Sequence, residues 1–185
     1  MDAIDLLKSD HRTVDELFER FEQQGPRARK TKQKLVRKMI EELSVHATIE
    51  EQLFYPTVRE RIEQTEEEVL EDLEEHHVVK WLLSELDGMD PEHERFDAKV
   101  QVLIETVRHH VKEEERELLP KVRRALPAEE RRELGEQLAA AKKFAPTRPH
   151  PRGPDEPPAN LVAGPAAKGM DVAKERIRQI ASGEE

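Results

Sequence analysis

The chain has no cysteine. Disulfides, thiolate metal sites and cysteine nucleophiles are excluded together, and any bound metal must be held by nitrogen and oxygen. Aromatic residues are scarce, with one Trp and one Tyr, so the stacked rings that grip single-stranded nucleic acid are missing. Positive charge is not in excess either. At a net −10 the surface repels phosphates, and no nucleic-acid partner is expected. No run of about 18 apolar residues occurs, so no membrane partner is expected. The first residues, MDAIDLLKSDH, lack the basic start and apolar stretch of a signal peptide, which makes the cytoplasm the expected location.

What is present is helical periodicity and histidine. The 185 residues suit one domain with its own core plus some extra chain. Ile4, Leu7, His11, Val14, Phe18 and Phe21 recur at spacings of three and four, which is one face of a helix. Gly25-Pro26 ends it. A second stripe runs through Val36, Met39, Ile40, Leu43, His46, Glu50 and Leu53, and Pro56 is expected to kink or end that helix near Phe54-Tyr55. Thr65 with Glu68 reads as a capping box for a third helix carrying Val69, Leu73, His76, Val79, Leu83 and Leu86, closed by Gly88. Asp90-Pro91 reads as an N-cap with proline at the first helical position of a fourth helix. That helix carries Val100, Leu103, Val107, His110, Glu114 and Leu118, and its Pro120 mirrors Pro56. A fifth, polar amphipathic helix over about 128–144 carries Leu134 and Leu138. Residues 1–143 form the expected bundle domain. Residues 144–185 form a proline-rich tail, expected to dock loosely or stay disordered, whose end could make a short helix with Val172, Ile177 and Ile180 on one side.

The helices repeat in pairs. His76 follows His11 by 65 residues, and apolar residues follow both at +3, +6, +7 and +10. His110 follows His46 by 64 residues, in the strings HATIEEQLFYP and HVKEEERELLP. Two helical hairpins of one pattern predict an all-α, antiparallel up-down-up-down four-helix bundle with pseudo-twofold symmetry, an extra C-terminal helix and the tail.

Residues four apart share a helix face, so His46 with Glu50, and His110 with Glu114, point the same way. All four lie on apolar stripes, as do His11 and His76. A bare carboxylate in such a core costs several kcal/mol unless paired or metal-bound. No Lys or Arg is expected on the stripes of helices one, two and four, so two metal ions are the expected compensation. Two carboxylates would bridge the ions and the imidazoles would fill terminal positions. Such donors suit iron, manganese, zinc or copper, and the bundle cage favours a di-iron or di-manganese pair. His77 and His109 sit about 100° from the favoured face and read as outer or surface groups. His93 and His150 read as solvated. Glu51, Glu113 and Glu115 read as parts of a solvated charged run. Tyr55, about one turn beyond Glu50, reads as core that could also bring its hydroxyl near the metals.

The runs DHRTVDELFERF, HATIEEQLFYP, EEHHVVKWLLSEL and HHVKEEERELLP resemble the hemerythrin-like HHE cation-binding family over roughly residues 1–143. The resemblance implies a non-haem di-iron centre with His11, His46, Glu50, His76, His110 and Glu114 as ligands and the two glutamates bridging. The chain departs from oxygen-carrying hemerythrins at two places. Asp72 stands where those have a fifth histidine, and Glu114 lies one residue closer to its histidine than their aspartate. The resemblance therefore implies binding of, or reaction with, dioxygen, hydrogen peroxide or nitric oxide, including catalase-like turnover, rather than reversible oxygen transport. The alternative is an iron- or redox-responsive regulator that signals to a protein partner through its tail. A metal-free helical adaptor is the third reading, and it leaves Glu50 and Glu114 on apolar stripes unexplained.

Overall fold

In the computed structural model, which describes residues 1–154, 157, 159–160 and 168–171, every regular element is helical. Helix α1 spans Ala3–Glu22, capped by Asp2, whose carboxylate accepts the Ile4 amide at 2.9 Å. Helix α2 spans Arg29–Ile49 and passes through a widened π-helical turn, Glu50–Phe54, into α3, Tyr55–Arg61. Helix α4 spans Glu66–Leu86. Helix α5, Phe96–Glu113, passes through a second π turn, Glu114–Leu118, into α6, Leu119–Ala125. Helix α7 spans Ala128–Ala141.

The chain reverses between successive long rods, α1, α2–α3, α4 and α5–α6, giving the expected up-down-up-down bundle. Helix α7 lies against α1 and α2–α3. The expected apolar stripes face inward and form two separate layers. One is built on Leu7, Ile49, Phe54, Val58, Val69 and Leu119 and takes Leu134 and Leu138 from α7. The other is built on Phe18, Met39, Leu83, Phe96, Leu103 and Val107. His11, His46, His76 and His110 lie between the two layers in sequence and in space.

The prolines do not end their helices. A proline inside an α-helix lacks a donor and its ring clashes with the carbonyl four residues back. A π turn relieves both problems by moving bonding to the fifth residue. The Tyr55 amide donates to the Glu50 carbonyl, and the Leu119 amide to the Glu114 carbonyl. Each rod then continues to Arg61 or Ala125.

Two expected caps are absent. The Thr65 hydroxyl donates back to the Ile62 carbonyl at 2.8 Å instead of accepting from the helix. The fourth rod begins at Phe96, not Pro91. Asp90 caps a turn, accepting the Glu92 amide at 2.8 Å, and Arg29 holds the Pro91 carbonyl at 2.8 Å. Gly88 does close α4, at φ 87°. Lys32 corrects the expectation that no base lies on the stripe of helix two. It is 5% exposed, its ammonium 2.7 Å from Asp97 and over the Phe21 ring.

The described part of the tail folds back on the bundle. Asp171, 1% exposed, accepts the amides of Thr147 and Arg148 at 3.0 and 3.1 Å. Arg148 reaches Asp87 at 2.7 Å. The Gln52 amide donates to the Asn160 carbonyl at 2.9 Å. The terminal helix expected around Val172, Ile177 and Ile180 lies outside the described residues.

Candidate metal centre

Each rod of the bundle contributes one histidine at the level between the two apolar layers: His11 from α1, His46 from α2, His76 from α4 and His110 from α5. All four are 4–6% exposed. They form two edge-on or tilted pairs, His11 with His46 at 4.9 Å between ring centres, and His76 with His110 at 4.8 Å. Glu50 lies between the pairs. One of its oxygens is 3.1 Å from His46 Nε2 and 3.5 Å from His76 Nε2. Glu114 faces His11 Nε2 at 3.2 Å. Both carboxyl groups start a π turn, and both side chains are fully buried.

These groups are unusual in what they lack. His11 Nε2, His46 Nε2 and all four oxygens of Glu50 and Glu114 have no hydrogen-bond partner. Buried polar atoms almost always have one, because an unmade hydrogen bond costs about 1–3 kcal/mol, more when charged. Two sets of donor atoms each lie within 4.8 Å of one another, His11–His46–Glu50 and Glu50–His76–His110. Nitrogen and carboxylate oxygen, preformed and orphaned, fit a metal ion in each set with Glu50 shared.

Electrostatics divide the groups: against burial, neighbouring carboxylates raise His11 and His110. Burial pushes the Glu50 carboxyl well above its usual range, and the facing Glu114 carboxylate pushes it further. Burial also lowers His46 to about 4 against the pull of Asp10, and lowers His76 well below 6.5. Both imidazoles are therefore neutral near pH 7, the form that ligates metals.

Over residues 2–122 the sequence matches the family described as hemerythrin HHE cation binding domain. The chain belongs to that family. An uncharacterized hemerythrin-like protein of Schizosaccharomyces pombe is 30% identical over 139 residues, 75% of this chain and 68% of that one. A protein of a Nostoc species named DNA nickase is 28% identical over 142 residues, 77% of this chain but 39% of that longer protein. Among solved structures, an HHE cation binding domain-containing protein of Mycobacterium kansasii shares the fold with TM-score 0.67 at 23% identity, covering 77% of this chain and 86% of that one. The chain is thus a metal-binding helical bundle of the HHE type.

Beyond the six inner residues lies a ring of carboxylates that the sequence reading of the HHE chain misplaced. Every histidine points Nδ1 outward at one. His11 meets Glu115 at 2.9 Å, His46 meets Asp10 at 3.4 Å, His76 meets Glu51 at 3.2 Å and His110 meets Glu75 at 2.7 Å. A carboxylate on Nδ1 holds the proton there and leaves the Nε2 lone pair free for a metal. Glu51 is thus not solvated but 6% exposed, and it also holds the Lys80 ammonium at 2.9 Å. Glu115 is half-buried between His11 and Lys8. His76, Lys80 and Asn160 cover Glu51, whereas Glu115, at the same place in the second π turn, stays partly exposed. The signal that would have found the ring was in the repeat, since Asp10 aligns with Glu75 and Glu51 with Glu115.

Other expected positions divide. The Tyr55 hydroxyl is buried 3.4 Å from His76 Nε2. Asp72 is buried 3.5 Å from His110 Nδ1, its carboxyl raised to about 7, chiefly by burial. His77 turns away and accepts the Trp81 indole N–H at 3.0 Å. His109 is exposed beside Glu113 at 3.3 Å. His150 is not solvated: its Nε2 pairs with buried Asp171 at 3.2 Å.

Proposed function

We propose that the chain is a non-haem di-iron protein that binds or reacts with a small oxidant, dioxygen, hydrogen peroxide or nitric oxide, in the cytoplasm. The carrying observation is the set of six orphaned donor atoms on His11, His46, Glu50 and Glu114, completed by His76 and His110. On this reading His11, His46, His76, His110, Glu50 and Glu114 would together hold the ions. Manganese or zinc would suit the same donors. When bound, a redox-active pair supplies electrons and open coordination positions to the oxidant.

The chain's own residues support a small ligand. Apolar layers lie on both sides of the centre, which favours a diatomic or a peroxide over a larger substrate. The Tyr55 hydroxyl lies 3.4 Å from His76 Nε2, placed to hydrogen-bond a small ligand there. The buried carboxylate ring orients the imidazoles so that little rearrangement is needed when ions bind.

Metal analysis and the visible spectrum of aerobically purified protein test the reading. Close to two irons per chain with oxo-iron absorption are expected, and peroxide decay then measures turnover. A chain that purifies with neither iron nor that absorption refutes it.

A second reading, an iron- or redox-responsive regulator, is favoured by one contact. The Asn160 side chain donates to the Glu51 carbonyl at 3.3 Å, and Glu51 holds His76. If removing residues 145–185 leaves peroxide chemistry intact and abolishes binding of a protein partner, the regulator reading replaces the first.

A further inference from the structure

The two halves of the repeat differ most on the outer faces of their hairpins. On α1 and α2, the positions flanking the centre are apolar: Leu6, Leu7, Ile49 and Leu53 pack under Leu134 and Leu138 of α7. The aligned positions on α4, α5 and the π turn after it are Glu71, Asp72, Glu113 and Glu117. Among the described residues no helix covers these. They line an open cavity of about 100 Å³, completed by Glu68, Leu118 and, at its floor, Glu114.

The acidic lining alone would be a solvated face. What distinguishes it is the floor. Glu114 is 1% exposed, lines this cavity, and has two oxygens without a hydrogen-bond partner. Glu114, its carboxylate wholly buried and facing His11 at 3.2 Å, thus separates this cavity from the centre by a single side chain. Two further donor sets climb the same seam. Glu75, His109 and Glu113 lie at the surface, and Asp72, Glu75 and His110 lie one step deeper, each set with ligand atoms within 4.8 Å. They share Glu75 with each other, and His110 with the inner set. One base enters the lining, since Lys121 pairs with Glu68. His109 lies beside Glu113 at 3.3 Å, and Glu71 and Glu117 face an incoming cation with it.

We propose that this α4–α5 seam is the route by which a hydrated divalent cation is admitted to the centre, with Glu71, Glu113 and Glu117 at the mouth, Asp72 in the throat and Glu114 at the floor. A desolvated cation cannot cross the apolar layers above and below, nor the α7-covered face. Carboxylates spaced along a seam replace its water stepwise, and a mouth lined by one sign of charge raises its local concentration. The repeat thus gives two similar ligand hairpins, one covered by α7 on its outer face and one not. The proposal rests on metal binding at the inner residues as read above.

The test is the rate of Co²⁺ uptake by the full chain after chelation, followed by visible absorption, together with the rate of Co²⁺ release from loaded protein to a chelator. The variant is E71Q/E113Q/E117Q, and the control E16Q/E19Q/E133Q makes the same charge change elsewhere. All these positions are on the surface, and circular dichroism checks the fold. At low ionic strength the mouth variant should take up Co²⁺ about tenfold more slowly, within the range of electrostatic steering. It should release Co²⁺ more slowly too, and reach the same final content. The difference should shrink with added salt, which screens exposed charge. Wild-type rates in the mouth variant, or equal slowing in the control, overturn the route while leaving the metal-centre reading intact. A wild-type chain that takes up no Co²⁺ overturns both.

Discussion

Glu50 and Glu51 are neighbours in sequence with opposite tasks. Glu50 presents two oxygens with no partner to the centre, whereas Glu51 faces away from it and ties His76 to Lys80. Glu50→Ala should remove most metal affinity yet leave the metal-free protein as stable or more so, because the deleted carboxyl is costly to bury alone. Glu51→Ala should destabilise the protein with or without metal, by about 3 kcal/mol, because it strips a buried ammonium of a counter-charge. Glu115→Ala should cost less, about 1 kcal/mol, since Glu115 is partly solvated. Melting temperatures and metal content of the three variants check this. Equal behaviour of Glu50→Ala and Glu51→Ala would show that the two faces have been misassigned. Tyr55→Phe should keep its metal content and lose about 1 kcal/mol. Its oxidant-reacted spectrum should shift if the hydroxyl reaches the ligand.

At the scale of elements, the π turns decide which residues the rods bury. An uninterrupted α-helix through Pro56 would be strained. The widened turn removes the strain and lets Glu50, Glu51, Phe54 and Tyr55 all be buried. Helix α7 adds a second constraint. Its Gly135 lies against the start of α1, where an added Cβ would collide with the Met1 carbonyl and sit 2.8 Å from the Ala3 amide nitrogen. On helix propensity alone, Gly135→Ala should stabilise by about 1 kcal/mol. Here the collision with backbone should outweigh that gain and destabilise by about 1–3 kcal/mol. A raised melting temperature would show that α1 and α7 are not in this close contact. Lys142, at the C-terminal cap of α7, also pairs with Asp10, which holds His46, so loosening α7 should weaken metal retention as well.

For the molecule as a whole, metal and fold are linked. Six buried orphaned atoms oppose folding until cations arrive, so chelation should lower the melting temperature. Ions bound a thousandfold above their dissociation constant add about 4 kcal/mol, or about 10 °C for a chain of this size. A metal-free adaptor would show no change. The tail is tied down by a different carboxylate. Asp171→Ala removes the acceptor of two backbone amides and the partner of His150. It should speed limited proteolysis around residues 146–154 severalfold while leaving metal content unchanged. Unchanged proteolysis would mean that Asp171 does not anchor this segment.

Local rules determined much of this in advance. Periodicity of three and four places His11, Val14 and Phe18 on one face whatever surrounds them. The offsets of 65 and 64 residues pair the hairpins, and a buried carboxylate such as Glu50 needs a cation in any bundle. Other features depend on several elements at once. The burial of Glu51 requires the facing His76 and Lys80. The start of α5 at Phe96 depends on Arg29 reaching across to Pro91. The placement of His150 depends on Asp171, 21 residues later. Whether an acidic face is sealed or open depends on where α7 packs, and nothing in the spacing of Glu71, Asp72, Glu113 and Glu117 states that. Sequence spacing fixes direction around one helix axis, whereas contact between axes is set by packing energy summed over the whole chain.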